Sequence, residues 1–79
     1  MKININEFII SDAEICNGIP IFKGTRIMVW QVMELLGAGV TIEEIMQNYF
    51  PQLTKTAILS VMTYASKIIG EGKHVLLPE

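Results

Sequence analysis

The chain has 79 residues, of which 51% are hydrophobic, and a formal net charge of −2. A domain of this size buries only about 60% of the surface that its unfolded chain exposes, so part of this apolar content is expected to contact a partner, and a two-fold homodimer is the commonest such assembly. The negative net charge excludes a general electrostatic attraction to nucleic acid or to anionic membranes.

The single cysteine, Cys16, excludes an intrachain disulfide and a multi-cysteine metal site. The first residues have no apolar run typical of a signal peptide, and no stretch approaches the ~20 apolar residues that span a bilayer. We therefore expect a cytoplasmic protein that makes no membrane contact.

Two short runs near the N-terminus, residues 8–10 and 19–22, have the composition of strands. Turn pairs follow each run, with glycine at Gly18 and Gly24, and Pro20 restricts the second run to a sheet edge or a strand start. These features predict a small N-terminal β hairpin.

The segment "NGIPIFKGTRI", residues 17–27, resembles a phosphate-binding loop only in its glycine content. Its spacing matches neither GxxxxGK[ST] nor GxGxxG. A tight turn that orients the hairpin against the first helix is the better interpretation. Arg26 is the exception, because its guanidinium group could hold a carboxylate within a dimer or a phosphate outside it.

Three helices are predicted after the hairpin. The first covers residues 28–38, and the second begins at Thr41 and Glu44, which have the spacing of a capping box. The third and longest covers residues 54–70, and residues 71–79 are a tail with no helical period. The predicted fold is therefore mainly α, a three-helix, helix-turn-helix bundle preceded by a β hairpin, with one domain followed by the tail.

Apolar spacing also predicts which side chains face the core. In the second helix these are Ile42, Ile45, Met46 and Tyr49. In the third helix they are Ala57, Ile58, Val61, Met62, Tyr64, Ala65, Ile68 and Ile69.

The outer side of the third helix is a candidate DNA-reading surface, because no acidic residue occurs between Ile45 and Gly70. A helix-turn-helix protein presents hydroxyl, amide and basic side chains to the major groove from its second helix of the pair. However, no Arg, Asn or Gln lies on this helix to make a bidentate base contact, and an ordinary solvated face explains the same residues. The candidate DNA-binding residues are Arg26, Lys55, Thr56, Ser60, Thr63 and Lys67.

A second set of residues is expected to contact proteins. Trp30 falls beside the polar side of the first helix, and Leu59 stands alone among the hydroxyls of the third. Large apolar side chains outside a core often mark contact surfaces, although Trp30 could equally be a half-buried side chain that covers the hairpin. The apolar triplet in the tail is the third element of this set. The candidate partner-binding residues are Trp30, Leu59, Val75, Leu76 and Leu77.

The chain shows no catalytic, cofactor-binding or metal-binding constellation, so we expect that it is not an enzyme. Cys16 and His74 are the strongest candidates for a nucleophile and a base, but nothing resembles an orienting group or an oxyanion arrangement. Glu43 and Glu44 are neighbours on a helix and diverge by about 100°, so they cannot act together on one substrate atom.

The stretch from residue 16 to residue 65 resembles the bacterial family called domain of unknown function 433, whose pattern includes G-x-P-x-x-x-G-T-R-I and T-x-E-E-I. The matching positions are Gly18, Pro20, Gly24, Thr25, Arg26, Ile27, Val29, Gly39, Thr41, Glu43, Glu44, Ile45, Tyr49, Leu53, Thr54 and Ala57. The resemblance implies a homeodomain-like three-helix fold behind a β hairpin, an antitoxin-type role beside a toxin related to PIN nucleases, and no established catalytic residues. Lys55 and Thr56 depart from the proline and acidic residues usual in the family, which makes the start of the third helix more basic.

Two hypotheses follow. The first is a dimeric, antitoxin-like regulator that binds operator DNA through its third helix and neutralises a PIN-like toxin through its tail. The alternative is a protein-protein interaction or dimerisation module on the same fold that does not bind DNA.

Overall fold

The computed structural model describes residues 1–72, in which a small antiparallel sheet precedes three helices. The sheet consists of β1 (Lys2–Asn4), β2 (Ile9–Asp12) and β3 (Ile21–Phe22), in the order β1-β2-β3. The predicted hairpin corresponds to β2 and β3. β1 was not predicted, although residues 2–6 alternate polar and apolar side chains as a strand does.

The helical part begins with α1 (Val29–Gly37). The second helix consists of α2 (Ile42–Glu44) and a π-helical turn (Ile45–Tyr49) that continues it. The last helix is α3 (Lys55–Gly70). Roughly half of the described residues are helical, so the fold is mixed, with three helices and a three-stranded sheet, rather than mainly α.

The core lies between the sheet and the helices and takes side chains from every layer. Ile9 of β2, Phe22 of β3, Val32 of α1, Ile45 of the π-helical turn and Ile58 of α3 are all at most 2% exposed. This arrangement makes α3 the helix against which the sheet, α1 and the second helix pack.

The glycine-rich segment forms a tight turn between β3 and α1. Gly24 has a φ of +81°, a conformation that side chains with a Cβ rarely adopt. The hydroxyl of Thr25 donates to the Phe22 carbonyl at 2.8 Å and accepts from the Ile27 N–H at 3.0 Å. The interpretation of this segment as a turn is therefore confirmed.

Local capping sets the starts of the second helix and α3. The Thr41 hydroxyl accepts from the Glu44 N–H at 3.1 Å, and the Glu44 carboxylate accepts from the Thr41 N–H at 3.0 Å. The hydrogen bond from the Thr41 N–H, and next the Thr41 side chain, lower the pKa of the exposed Glu44 carboxyl. Thr54 caps α3 in the same way, by accepting from the Ala57 N–H at 3.2 Å.

The π-helical turn changes which aromatic side chain reaches the core. Its defining hydrogen bond joins the Phe50 N–H to the Ile45 carbonyl, five residues earlier, at 2.8 Å. Phe50 packs against the core, whereas Tyr49 is 49% exposed. The prediction that Tyr49 faces inward is wrong, because it assumed the tighter α-helical period throughout.

Candidate interaction surfaces

The exposed side of α3 divides into two strips along the helix. At about 100° per residue, the two strips lie roughly a quarter turn apart around the helix axis. The hydroxyl strip is Thr56, Ser60, Thr63 and Lys67. The outer seam is Lys55, Leu59, Met62, Ser66 and Ile69.

The outer seam is solvent-exposed and largely apolar. Leu59 is 45% exposed, Met62 53% and Ile69 67%. The predictions that Met62 and Ile69 face the core are wrong, because the buried side of α3 centres on Ala57, Ile58 and Val61. A helical wheel gives the angle between two side chains, but it does not give the direction in which the rest of the protein lies.

The hydroxyl strip is bordered by the sheet. Asn6, in the turn between β1 and β2, donates from its side-chain nitrogen to the Ser60 carbonyl at 3.5 Å. Ser60 itself is half-buried, and its hydroxyl donates to the Ala57 carbonyl at 2.7 Å. Further along α3, Lys67 lines a cleft together with Ile3 and Ile5. Of the two strips, the outer seam is consequently the less obstructed.

The residues predicted to bind DNA do not form one surface. Thr56, Thr63 and Lys67 are exposed on the hydroxyl strip beside the half-buried Ser60, whereas Lys55 belongs to the outer seam. Arg26 is exposed in the turn between β3 and α1. Other residues of that turn and residues at the start of α3 line a separate cleft of 260 Å³. Arg26 does not line this cleft.

A second exposed surface lies between α1 and the π-helical turn. Trp30 is 46% exposed and Tyr49 49% exposed, and the Trp30 indole N–H contacts the Met28 sulfur at 3.3 Å. Together they border an open cleft of 430 Å³, here called the aromatic cleft. Its lining residues are Trp30, Gln31, Glu34, Leu35, Ala38, Tyr49 and Phe50.

The structure places both Trp30 and Leu59 at exposed positions, as expected, but Tyr49, Phe50 and the outer seam were missed. The signal for the outer seam was present in the spacing of its residues. The sequence contained no signal that Tyr49 would be exposed, because only the observed i to i+5 hydrogen bond shows that the α-helical period is interrupted. Val75, Leu76, Leu77 and His74 lie outside the described residues.

A protein-family model described as protein of unknown function (DUF433) matches residues 9–65, which is more than two thirds of the chain. The chain belongs to the DUF433 family. The match begins at β2 and ends within α3, so this DUF433 domain includes both the aromatic cleft and most of the outer seam. No curated protein and no solved structure gives a significant match.

Among residues 1–72, no three or more His, Cys, Asp and Glu side chains cluster closely enough to hold a metal ion. Within the same residues, every helix falls short of the length and apolar character required to span a bilayer. Cys16 is half-buried and has a free thiol.

Proposed function

We propose that the protein is an antitoxin-like interaction protein that binds a PIN-like toxin through the aromatic cleft. The observation that carries this proposal is the half exposure of Trp30 and Tyr49 over an apolar cleft floor formed by Leu35 and Phe50. Rigid aromatic side chains at the edge of an apolar cleft are typical of binding hot spots. Gln31 and Glu34 add polar groups at its edge, as at the rim of a protein interface.

The class of partner comes from the DUF433 resemblance, which associates this domain with toxins related to PIN nucleases and with a homeodomain-like fold. The proposal differs from the initial hypothesis in one respect, since it assigns toxin contact to the folded domain as well as to Val75, Leu76 and Leu77 of the tail. A chain that binds such an enzyme neutralises it by covering its active site or by preventing its assembly.

Trp30→Ala is expected to weaken binding to a PIN-like toxin by at least about tenfold, because it removes a hot-spot side chain. Binding is measured by isothermal titration calorimetry. Ile19→Ala is the control, since Ile19 is also exposed, at 41%, but does not line the cleft. Equal affinity of both variants would reject the cleft as the binding site.

Intrinsic fluorescence gives an independent measurement with the unmodified protein. Trp30 is the only tryptophan of the chain, so its emission reports directly on the cleft. With a tryptophan-free variant of the partner, complex formation is expected to shift the emission to shorter wavelength as the indole ring leaves water. A complex that forms without this shift would contradict the proposal.

Operator DNA is a second candidate ligand, favoured by the exposed side chains of Lys55, Thr56, Thr63 and Lys67 on a helix without acids. In this case Lys67→Glu is expected to weaken binding to DNA from upstream of the gene by about tenfold at low salt, through lost phosphate attraction. Fluorescence anisotropy at two salt concentrations measures this. Lys2→Glu, the same charge change on β1, is the control, and equal effects of both would indicate non-specific attraction only.

A further inference from the structure

The outer seam has the spacing of a coiled-coil contact. Its members, Lys55, Leu59, Met62, Ser66 and Ile69, follow one another at intervals of four, three, four and three residues. This alternation has a mean period of 3.5 residues, which keeps one line of side chains facing a partner helix over several turns. The buried side of α3 is a different and wider set of side chains, which already pack in the domain core.

The apolar members of the seam are not used for folding. Leu59, Met62 and Ile69 each expose about half or more of their surface. α3 is also already folded and held by its own domain, since Ile58 and Val61 are fully buried in the domain core. A partner helix would therefore meet a preformed surface and would not have to overcome the cost of helix nucleation.

We infer that the outer seam pairs with the outer seam of a second copy of this chain, as two antiparallel helices related by a two-fold axis at Met62. This inference does not depend on the proposed toxin or DNA contacts. About Met62, the seam is nearly symmetric in the spacing of its members, which lie seven and three residues before Met62 and four and seven residues after it. Lys55 lies opposite Ile69 of the second copy, and Leu59 lies opposite Ser66.

Charge selects the antiparallel arrangement. The start of α3 carries Lys55 and the positive end of the helix dipole, and no acid occurs in its first turn. Its last turn lies at the negative end of the dipole and is followed by Glu71. The one basic residue of that turn, Lys67, belongs to the hydroxyl strip and not to the seam. Antiparallel pairing brings the Lys55 ammonium near the opposite helix end, while its aliphatic stem covers Ile69. Parallel pairing would place two Lys55 side chains and two positive helix ends together.

Neighbouring apolar surface extends the interface at its ends. Met33 of α1 is 42% exposed and lines a small apolar cleft of 180 Å³ with Tyr64, Ile68 and Ile69. In the antiparallel pair, Lys55 of the second copy lies opposite Ile69 and is therefore close to α1 as well. Trp30 belongs to another flank of α1, so the aromatic cleft remains open in the dimer.

Pairing through the seam excludes the reading of DNA by α3. Two helices side by side, each about 10 Å across, are wider than the major groove of about 12 Å. Dimerisation through the seam and the binding of operator DNA by α3 are thus mutually exclusive.

The oligomeric state of the full chain tests the inference. Sedimentation velocity is expected to show a dimer for the unmodified protein and a monomer, or a dissociation constant raised by at least about tenfold, for Met62→Glu, because two carboxylates would face each other across the axis. Thr63→Glu makes the same charge change at the neighbouring exposed position outside the seam and is expected to leave the dimer intact. A monomeric unmodified protein at ~100 µM, or equal effects of both variants, would overturn the inference.

Disulfide trapping tests the register and does not depend on a disruptive variant. In a Cys16→Ser background, Met62→Cys is expected to form a covalent dimer under mild oxidation, since the two thiols meet at the axis. Lys55→Cys is expected not to do so, because the two positions are separated by 14 residues, or about 21 Å, along the helix direction. Crosslinking through Lys55→Cys, with or without crosslinking through Met62→Cys, would show a parallel or different pairing and would overturn the inference.

Discussion

Ile58→Ala is expected to reduce the free energy of unfolding by about 3 kcal/mol, because it leaves a cavity in the centre of the core. Ile58 is fully buried, with 0% of its surface exposed, on the side of α3 that meets the other elements. In a domain of this size the whole stability rarely exceeds about 5 kcal/mol. The variant should therefore melt at least about 12 °C lower by circular dichroism, or be partly unfolded at room temperature.

Leu59→Ala is the matched comparison one residue further along the same helix. Leu59 is 45% exposed, so at a dilution where the protein is monomeric its truncation is expected to change the free energy of unfolding by no more than about 0.5 kcal/mol. At high protein concentration the loss should grow, because dimerisation through the seam stabilises the folded chain. Equal destabilisation by Ile58→Ala and Leu59→Ala at all concentrations would contradict the assigned sides of α3.

Asn6→Ala is expected to destabilise the protein by about 2 kcal/mol, since it removes several hydrogen bonds at once. The Asn6 side-chain oxygen accepts from the Phe8 N–H at 2.7 Å and from the Ile9 N–H at 2.9 Å. Its nitrogen donates to the Ser60 carbonyl at 3.5 Å. The residue therefore both shapes the turn between β1 and β2 and attaches it to α3.

Asn6→Asp separates these two roles. A carboxylate keeps the acceptor for the Phe8 and Ile9 N–H groups but cannot donate to Ser60. Because the contact to Ser60 is long, we expect the aspartate variant to retain most of the stability, with a loss below about 1 kcal/mol. Urea unfolding measures both variants. An equal loss in the two would show that the attachment to α3, and not the turn, is the important contribution.

The two exposed apolar surfaces suggest a division of roles within one small domain. The aromatic cleft, between α1 and the π-helical turn, has an irregular shape with polar groups at its edge, as expected for a surface that recognises a different protein. The outer seam is a regular line of side chains whose spacing is nearly symmetric about Met62, as expected for contact with an identical chain. The experiments on Trp30 and on Met62 therefore test independent proposals.

The sequence by itself determined the local features of this protein. The capping box of Thr41 and Glu44, the N-cap at Thr54 and the turn at Gly24 were all predicted correctly. Each depends on hydrogen bonds or backbone angles within about four residues, so the chemistry of the local segment is sufficient to specify it. The DUF433 resemblance, also read from sequence, is confirmed by the family match.

Only the tertiary structure decided which surfaces remain exposed. The apolar spacing of α3 is compatible with burial of Val61, Met62 and Ile69 alike, and the direction of the sheet and α1 relative to the helix decides that only Val61 of these three is buried. Likewise, the π-helical turn exposes Tyr49, and β1 forms because its backbone finds a partner in β2 although its side chains stay in water. The burial of α3 depends on contacts between segments far apart in the chain, which periodicity within one segment does not encode. The π-helical turn and the pairing of β1 depend on backbone hydrogen bonds, which the pattern of apolar side chains does not specify.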